Sequence, residues 1–150
     1  PDSDYEFDFA DFDYIVDAID TVSAKLALIE KAHEHGVPII SAMGCGNRFD
    51  PTKLVVTDIY KTEMDPLAKV MRKELKKRGI KKLKVVYSTE EPIKPMDFDE
   101  DGQKIMASSQ VAAAGQTRAK SVPGSTAFVP SAAGLIIASQ VAFDLTEDLR

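Results

Sequence analysis

The segment Tyr14-Ile-Val-Asp-Ala-Ile-Asp-Thr-Val-Ser-Ala-Lys25 joins a short apolar run to a helical pattern, with Asp17 and Asp20 at the junction. Such a segment reads as strand, turn and helix, the repeating unit of an α/β fold. In open α/β sheets ligands bind beyond the carboxyl ends of the strands, so both carboxylates are expected to face a crevice there. A hard oxygen ligand in that place suits Mg2+ on a triphosphate. On these residues alone the plainer role is favoured: Asp20 as N-cap of a helix over 21–35, accepting from otherwise unpaired amides.

The alternation continues down the chain. Val22, Leu26, Ile29 and Ala32 fall at helical spacing, and Gly36 followed by Pro38 supplies the stop. Apolar, β-branched runs predict strands over 14–17, 38–43, 53–60 and 83–87. Asp65 and Pro66 predict an N-cap with proline at the first helical position. The stripe Leu67, Val70, Met71 and Leu75 then runs to Gly79, giving a helix over 66–78. The fold class is therefore α/β, with a mostly parallel central sheet flanked by helices. A last helix, Pro130–Phe143, is apolar on most sides and rich in small residues. It suits a buried position within the chain and an interface between chains equally well.

Composition sets the bounds. At 150 residues and 44% hydrophobic content, one domain with a real core is the expectation. A net charge of −5 argues against general polyanion binding by the whole surface, though local patches can still act. The single cysteine, Cys45, excludes an internal disulfide and a four-cysteine zinc site, and fits a reducing, cytoplasmic setting. No apolar run approaches the ~18 residues of a membrane span, so no membrane partner is expected. Residues 1–13 alternate acids and aromatics and predict a solvated lead-in. Residues 88–130 lose periodicity amid prolines and glycines, as a functional lid or a disordered segment would.

Several polar residues are candidates for chemistry. Lys25, one turn into its helix, is placed to reach a phosphate or Asp20, or simply to be solvated. Glycines flank Cys45, permitting close approach of a ligand or an ordinary tight turn; with no adjacent base, Cys45 reads as structural. Arg48 is a candidate phosphate or substrate contact. His33 and His35 sit in a last helical turn and read as surface residues. Arg72, Lys73, Lys76, Lys77, Arg78, Lys81, Lys82 and Lys84 stand against only Glu74 in that stretch. They form either a solvated face complementing the helix dipole or a footprint for a phosphate backbone.

Three separated stretches carry a family resemblance: Asp17–Lys25, Val56-Thr-Asp-Ile-Tyr-Lys-Thr-Glu-Met-Asp-Pro-Leu-Ala68, and Tyr87-Ser-Thr-Glu90. Together they resemble the ThiF/MoeB/HesA adenylating enzymes, relatives of the ubiquitin-activating enzymes, over Asp13 to Phe143. Within that family they are most similar to the branch that dehydrates threonylcarbamoyladenosine in tRNA. The resemblance implies the C-terminal half of a Rossmann-like three-layer domain, a ligase-type reaction using ATP and Mg2+, and a homodimer with the last helix at its core. A carboxylate on tRNA would be activated as an acyl-adenylate and attacked intramolecularly. Asp20 would be the metal ligand, Lys25 would lie on the ATP side, and Arg72, Lys73, Lys76, Lys77 and Lys81 would meet tRNA. Relatives that activate a ubiquitin-like sulphur carrier are the alternative. They use paired Cys-x-x-Cys zinc motifs that one cysteine does not build, although a sulphur-relay partner stays open. A non-catalytic dimerising or RNA-binding module is the third possibility. The family also has a glycine-rich phosphate loop upstream of Asp17, whereas the first glycine here is Gly36. The chain is thus expected to be the C-terminal part of a longer enzyme, inactive alone. Relatives often carry a cysteine just before the turn that here reads Lys120-Ser-Val-Pro-Gly-Ser125, so no covalent cysteine step is implied.

Overall fold

The computed structural model describes residues 8–94, 96–98, 104–106 and 124–149. Strands β1 (Ile15–Asp17), β2 (Ile39–Ala42), β3 (Leu54–Asp58) and β4 (Lys84–Ser88) form one sheet in the order β1-β2-β4-β3. The first, second and fourth run parallel, placing Asp17 opposite Ser41 and Ser41 opposite Val85. β3 lies antiparallel on the far edge, beside β4. Helix α1 (Val22–Glu34) links β1 to β2, and α2 (Pro66–Lys77) links β3 to β4.

Alternation along β4 divides the core in two, since successive side chains point to opposite faces. Val85 and Tyr87 join Leu26 and Ile29 of α1 with Met71 and Leu75 of α2. On the other face Val86, Ile40 and Leu54 meet Val129, Ala133 and Ile137 of α3 (Phe128–Leu145). The result is three layers, helices on both faces of a mostly parallel sheet. The end of α3 is tied down by charge: Asp144 accepts from the Tyr14 hydroxyl at 2.6 Å and from Lys84 Nζ at 2.7 Å.

The expected helix signals act at α2, where Pro66 opens the helix and the Asp65 carboxylate accepts the Ala68 amide at 2.9 Å. Gly36 and Gly79 follow their helices with φ of 69° and 73°, the left-handed stop that glycine takes without a Cβ clash. At α1 the expectation fails. The helix begins one residue later than the cap reading requires, Thr21 is the N-cap, and Asp20 lies outside it.

Three further expectations need correction. Inside 88–130 the chain forms an antiparallel hairpin, β5 (Met96–Phe98) with β6 (Lys104–Met106), and α3 begins at Phe128; the stretch 107–123, including Lys120–Pro123, lies outside the described residues. The end of the acidic lead-in is docked rather than wholly solvated. Phe9 packs against the cluster of Ile15, Ala32 and Val37 and stacks on the His35 ring at a centroid distance of 5.6 Å, because an aromatic gains by covering apolar surface at a helix end; residues 1–7 lie outside the described part. Lastly, α3 has 18 residues and a mean hydropathy of 1.5, so by length and composition it is long enough to cross a membrane. Scattered polar residues, Ser131, Ser139 and Gln140, hide that run from an unbroken-stretch criterion. In the fold its Val129-Ala133-Ile137 stripe covers the sheet, while Phe128, Leu135 and Phe143 are exposed.

Candidate active site

Expected to share a crevice at the end of β1, Asp17 and Asp20 are separated by the fold. Asp17 is the last residue of β1 and points inward, fully buried. A buried carboxylate is costly unless paired and hydrogen-bonded. Its Oδ2 lies 2.9 Å from Lys25 Nζ and accepts the hydroxyl of Ser41, its register partner on β2. Its Oδ1 accepts the Ile19 amide at 3.1 Å. Lys25 is therefore neither solvated nor joined to Asp20. Helical side chains lean toward the helix N-terminus, and from the first turn of α1 that direction leads back onto β1, where Asp17 captures the ammonium. Asp20 is exposed at the β1–α1 turn.

The loop after β2 forms the second wall. Arg48 is buried, 2% exposed, with Nη1 donating to the Ser88 carbonyl at the end of β4 and Nη2 3.5 Å from Asp65 at the start of α2. Its Nε has no hydrogen-bond partner among the described residues. Two other residues fix the same loop. The Glu90 carboxylate accepts the amides of Phe49 and Asp50 at 3.1 and 3.0 Å. Asn47, at φ 58°, gives its amide to the Gly124 carbonyl and accepts the Gly124 amide on its side chain at 2.7 Å. Sequence reasoning singled out neither Ser41 nor Asn47 and left Glu90 without a role. Of these only Ser41 carried a signal, a hydroxyl inside an otherwise apolar strand.

Cys45 lies on this same loop and is half-buried. Burial pushes its thiol pKa up; Arg48 and Lys25 pull it down, and Asp65 and Asp20 raise it. Burial prevails, and a protonated thiol is a poor nucleophile, which agrees with a structural cysteine. The turn bearing Asp20 and the loop bearing Arg48 follow the carboxyl ends of the neighbouring parallel strands β1 and β2. His35 is elsewhere, at the C-terminal end of α1, with Nδ1 2.8 Å from the Lys31 carbonyl.

Among the described residues no group of three His, Cys, Asp or Glu side chains stands ready to hold a metal ion. That donor set does not exclude Mg2+, which commonly takes one or two carboxylates and completes its shell with water and substrate phosphates. Asp20, exposed and outside the buried ion pairs, fits such a single-carboxylate arrangement.

The basic stretch lies at the other end of α2. Its 12 residues span about 18 Å, with Asp65 beside Arg48 at one end and Lys76 and Lys77 at the other. Glu74 is not its only acidic neighbour. Arg78 reaches Glu30 at 3.0 Å as well as Glu74, Lys84 is held by Asp144, and Arg72 donates to the Thr62 carbonyl at 2.8 Å. Lys77 pairs with Glu74 at 2.7 Å, while Lys73, Lys76, Lys81 and Lys82 are exposed.

No protein-family model matches the chain. Individual proteins do. The tRNA threonylcarbamoyladenosine dehydratase of Bacillus subtilis is 42% identical over 145 residues, 96% of this chain and 54% of that protein. The enzyme of the same name from Escherichia coli is 38% identical over 103 residues, 63% of this chain and 38% of that protein. Among solved structures, TcdA (CsdL) superposes with a TM-score of 0.70 at 27% identity, over 92% of this chain and 52% of its own. The E. coli tRNA N6-threonylcarbamoyladenosine dehydratase solved with AMP also gives 0.70, at 26% identity, over 93% and 50%. The chain spans about half the length of the Bacillus relative and of these structures.

Proposed function

We propose that this chain, homologous to part of the tRNA threonylcarbamoyladenosine dehydratases, supplies the carboxyl-side wall of an ATP-dependent adenylating site acting on that modified nucleoside in tRNA. The observation that carries the reading is topological: Asp20 stands on the turn after β1 and Arg48 on the loop after β2, at the carboxyl ends of two neighbouring parallel strands. That is the edge of an α/β sheet where ligands bind.

In this reading Asp20 takes the metal and phosphate side. Bound Mg2+ would neutralise charge on the triphosphate and hold it in line with the attacking carboxylate. The chain's own residues supply the frame. Asp17, Lys25 and Ser41 hold the β1–α1 turn, and Arg48, Glu90 and Asn47 hold the loop opposite. Lys73, Lys76, Lys77 and Lys81, on and beyond the far end of α2, are the candidate tRNA contacts, with Arg72 the least available because Thr62 takes its guanidinium. A tRNA is large enough to meet both ends of a helix about 18 Å long.

The test uses the full-length protein with MgATP and tRNA carrying threonylcarbamoyladenosine. AMP release coupled to loss of one water from the modified nucleoside is the expected result. Formation of an acyl-adenylate, with pyrophosphate released, on the C-terminal glycine of a ubiquitin-like carrier, with no adenylation of tRNA, would overturn it.

A further inference from the structure

We propose that Asp17, Lys25 and Ser41 act together as a positioning clamp that sets the backbone of the turn bearing Asp20. The three come from β1, α1 and β2, and they converge on one carboxylate. Asp17 Oδ2 takes the Lys25 ammonium at 2.9 Å and the Ser41 hydroxyl, leaving Oδ1 to accept the Ile19 amide at 3.1 Å. Ile19 immediately precedes Asp20, so this bond fixes the Ala18–Ile19 peptide, one peptide before the Cα that carries the Asp20 side chain.

Stability alone does not account for the arrangement. An apolar group of similar volume in place of a buried ion pair is often neutral or stabilising. What apolar side chains cannot do is accept the Ile19 amide. A carboxylate buried at the end of β1 can, and Lys25 and Ser41 are the partners that compensate its burial and hold it in one orientation. Lys25 is then a positioning residue whose charge is already matched by Asp17, and it reaches a phosphate only by giving up that pair. This extends the functional reading above, since the purpose of the turn rests on Asp20 facing ATP and its metal.

The experiment compares the full-length parent with S41A, the apolar double variant D17L/K25M, and D20N. Hydrogen exchange of the segment around Ile19 is followed without nucleotide, MnATP affinity is followed by electron paramagnetic resonance, and thermal melting controls for folding. In S41A the Ile19 region should exchange about tenfold faster, as loss of one charge-assisted hydrogen bond would give, and MnATP should bind several-fold more weakly. D17L/K25M should fold and melt near the parent, yet lose both the Ile19 protection and the MnATP affinity. D20N should lose MnATP affinity while the Ile19 region stays protected. Parental protection and parental affinity in D17L/K25M would overturn the proposal, and so would native exchange in S41A if the double variant does not fold. If the parent itself does not bind MnATP, the ATP reading fails, and the exchange data alone decide whether the clamp holds the turn.

Discussion

Arg48 and Asp65 meet at 3.5 Å with both side chains buried, joining the loop after β2 to the first turn of α2. Removing one partner strands the other charge, which costs about 3–5 kcal/mol for a buried pair. Arg48→Met should therefore lower unfolding free energy by about 3 kcal/mol, the smaller value because Asp65 keeps the Ala68 amide as a partner. Arg48→Met with Asp65→Ser should recover much of the loss, as serine still caps the helix without a buried charge. Urea unfolding of the parent, the single and the double variant measures this. A double variant no more stable than Arg48→Met would show that the pair is not what holds the loop.

Asp20→Asn is expected to separate function from folding. Asp20 is exposed and is not the cap of α1, so its amide counterpart should melt within about 2 °C of the parent, as surface changes of under ~0.5 kcal/mol do. Loss of its charge should cut AMP formation by at least about tenfold, and excess Mg2+ should restore part of it, since the site would bind metal less well. Equal rates in both proteins would remove Asp20 from the metal side.

The secondary structure was legible because it rests on local signals. Val22, Leu26 and Ile29 repeat at helical spacing, Asp65-Pro66 opens a helix, and Gly36 and Gly79 close two. The site was only half legible. Asp17 and Asp20 look alike in sequence, and what distinguishes them is tertiary: Ser41 is brought opposite Asp17 by strand register, and Lys25 is swung back by the pitch of α1. Arg48 likewise reads as a free cation until Ser88 and Asp65, both distant in sequence, are folded around it. The hairpin of β5 and β6 escaped notice because three-residue strands give too few positions for alternation to register.

The anchor of α3 predicts a pH dependence. Hydrogen bonds from Lys84 and then from Tyr14 hold the Asp144 carboxyl below the usual carboxylate range. A depressed folded pKa adds stability above the unfolded value of about 3.9, and that contribution is lost as pH falls through the folded value. Asp144 is about one-third exposed, so screening keeps the effect near 1 kcal/mol, or about 2–4 °C in Tm. Asp144→Asn should melt lower by that amount at pH 7, with the gap closing toward pH 3. A gap that persists at acid pH would assign the loss to packing instead of charge.

The basic stretch predicts a salt dependence. Each lysine that meets a phosphate releases condensed counterions, so tRNA binding should weaken steeply as salt rises. Replacing Lys76, Lys77 and Lys81 together should flatten the plot of log affinity against log salt by about 0.9 for each duplex phosphate left without its lysine, and by less on a single strand. Lys77 contributes least if its pairing with Glu74 at 2.7 Å is kept in the complex. AMP formation at saturating tRNA should be nearly unchanged, because these residues stand about a helix length from the Asp20 turn. The measurement is binding of full-length parent and triple variant to tRNA at several salt concentrations. Equal slopes would take this face of α2 out of the tRNA site, and a fall in AMP formation at saturation with unchanged binding would mean that the lysines serve the reaction from a distance rather than the docking of its substrate.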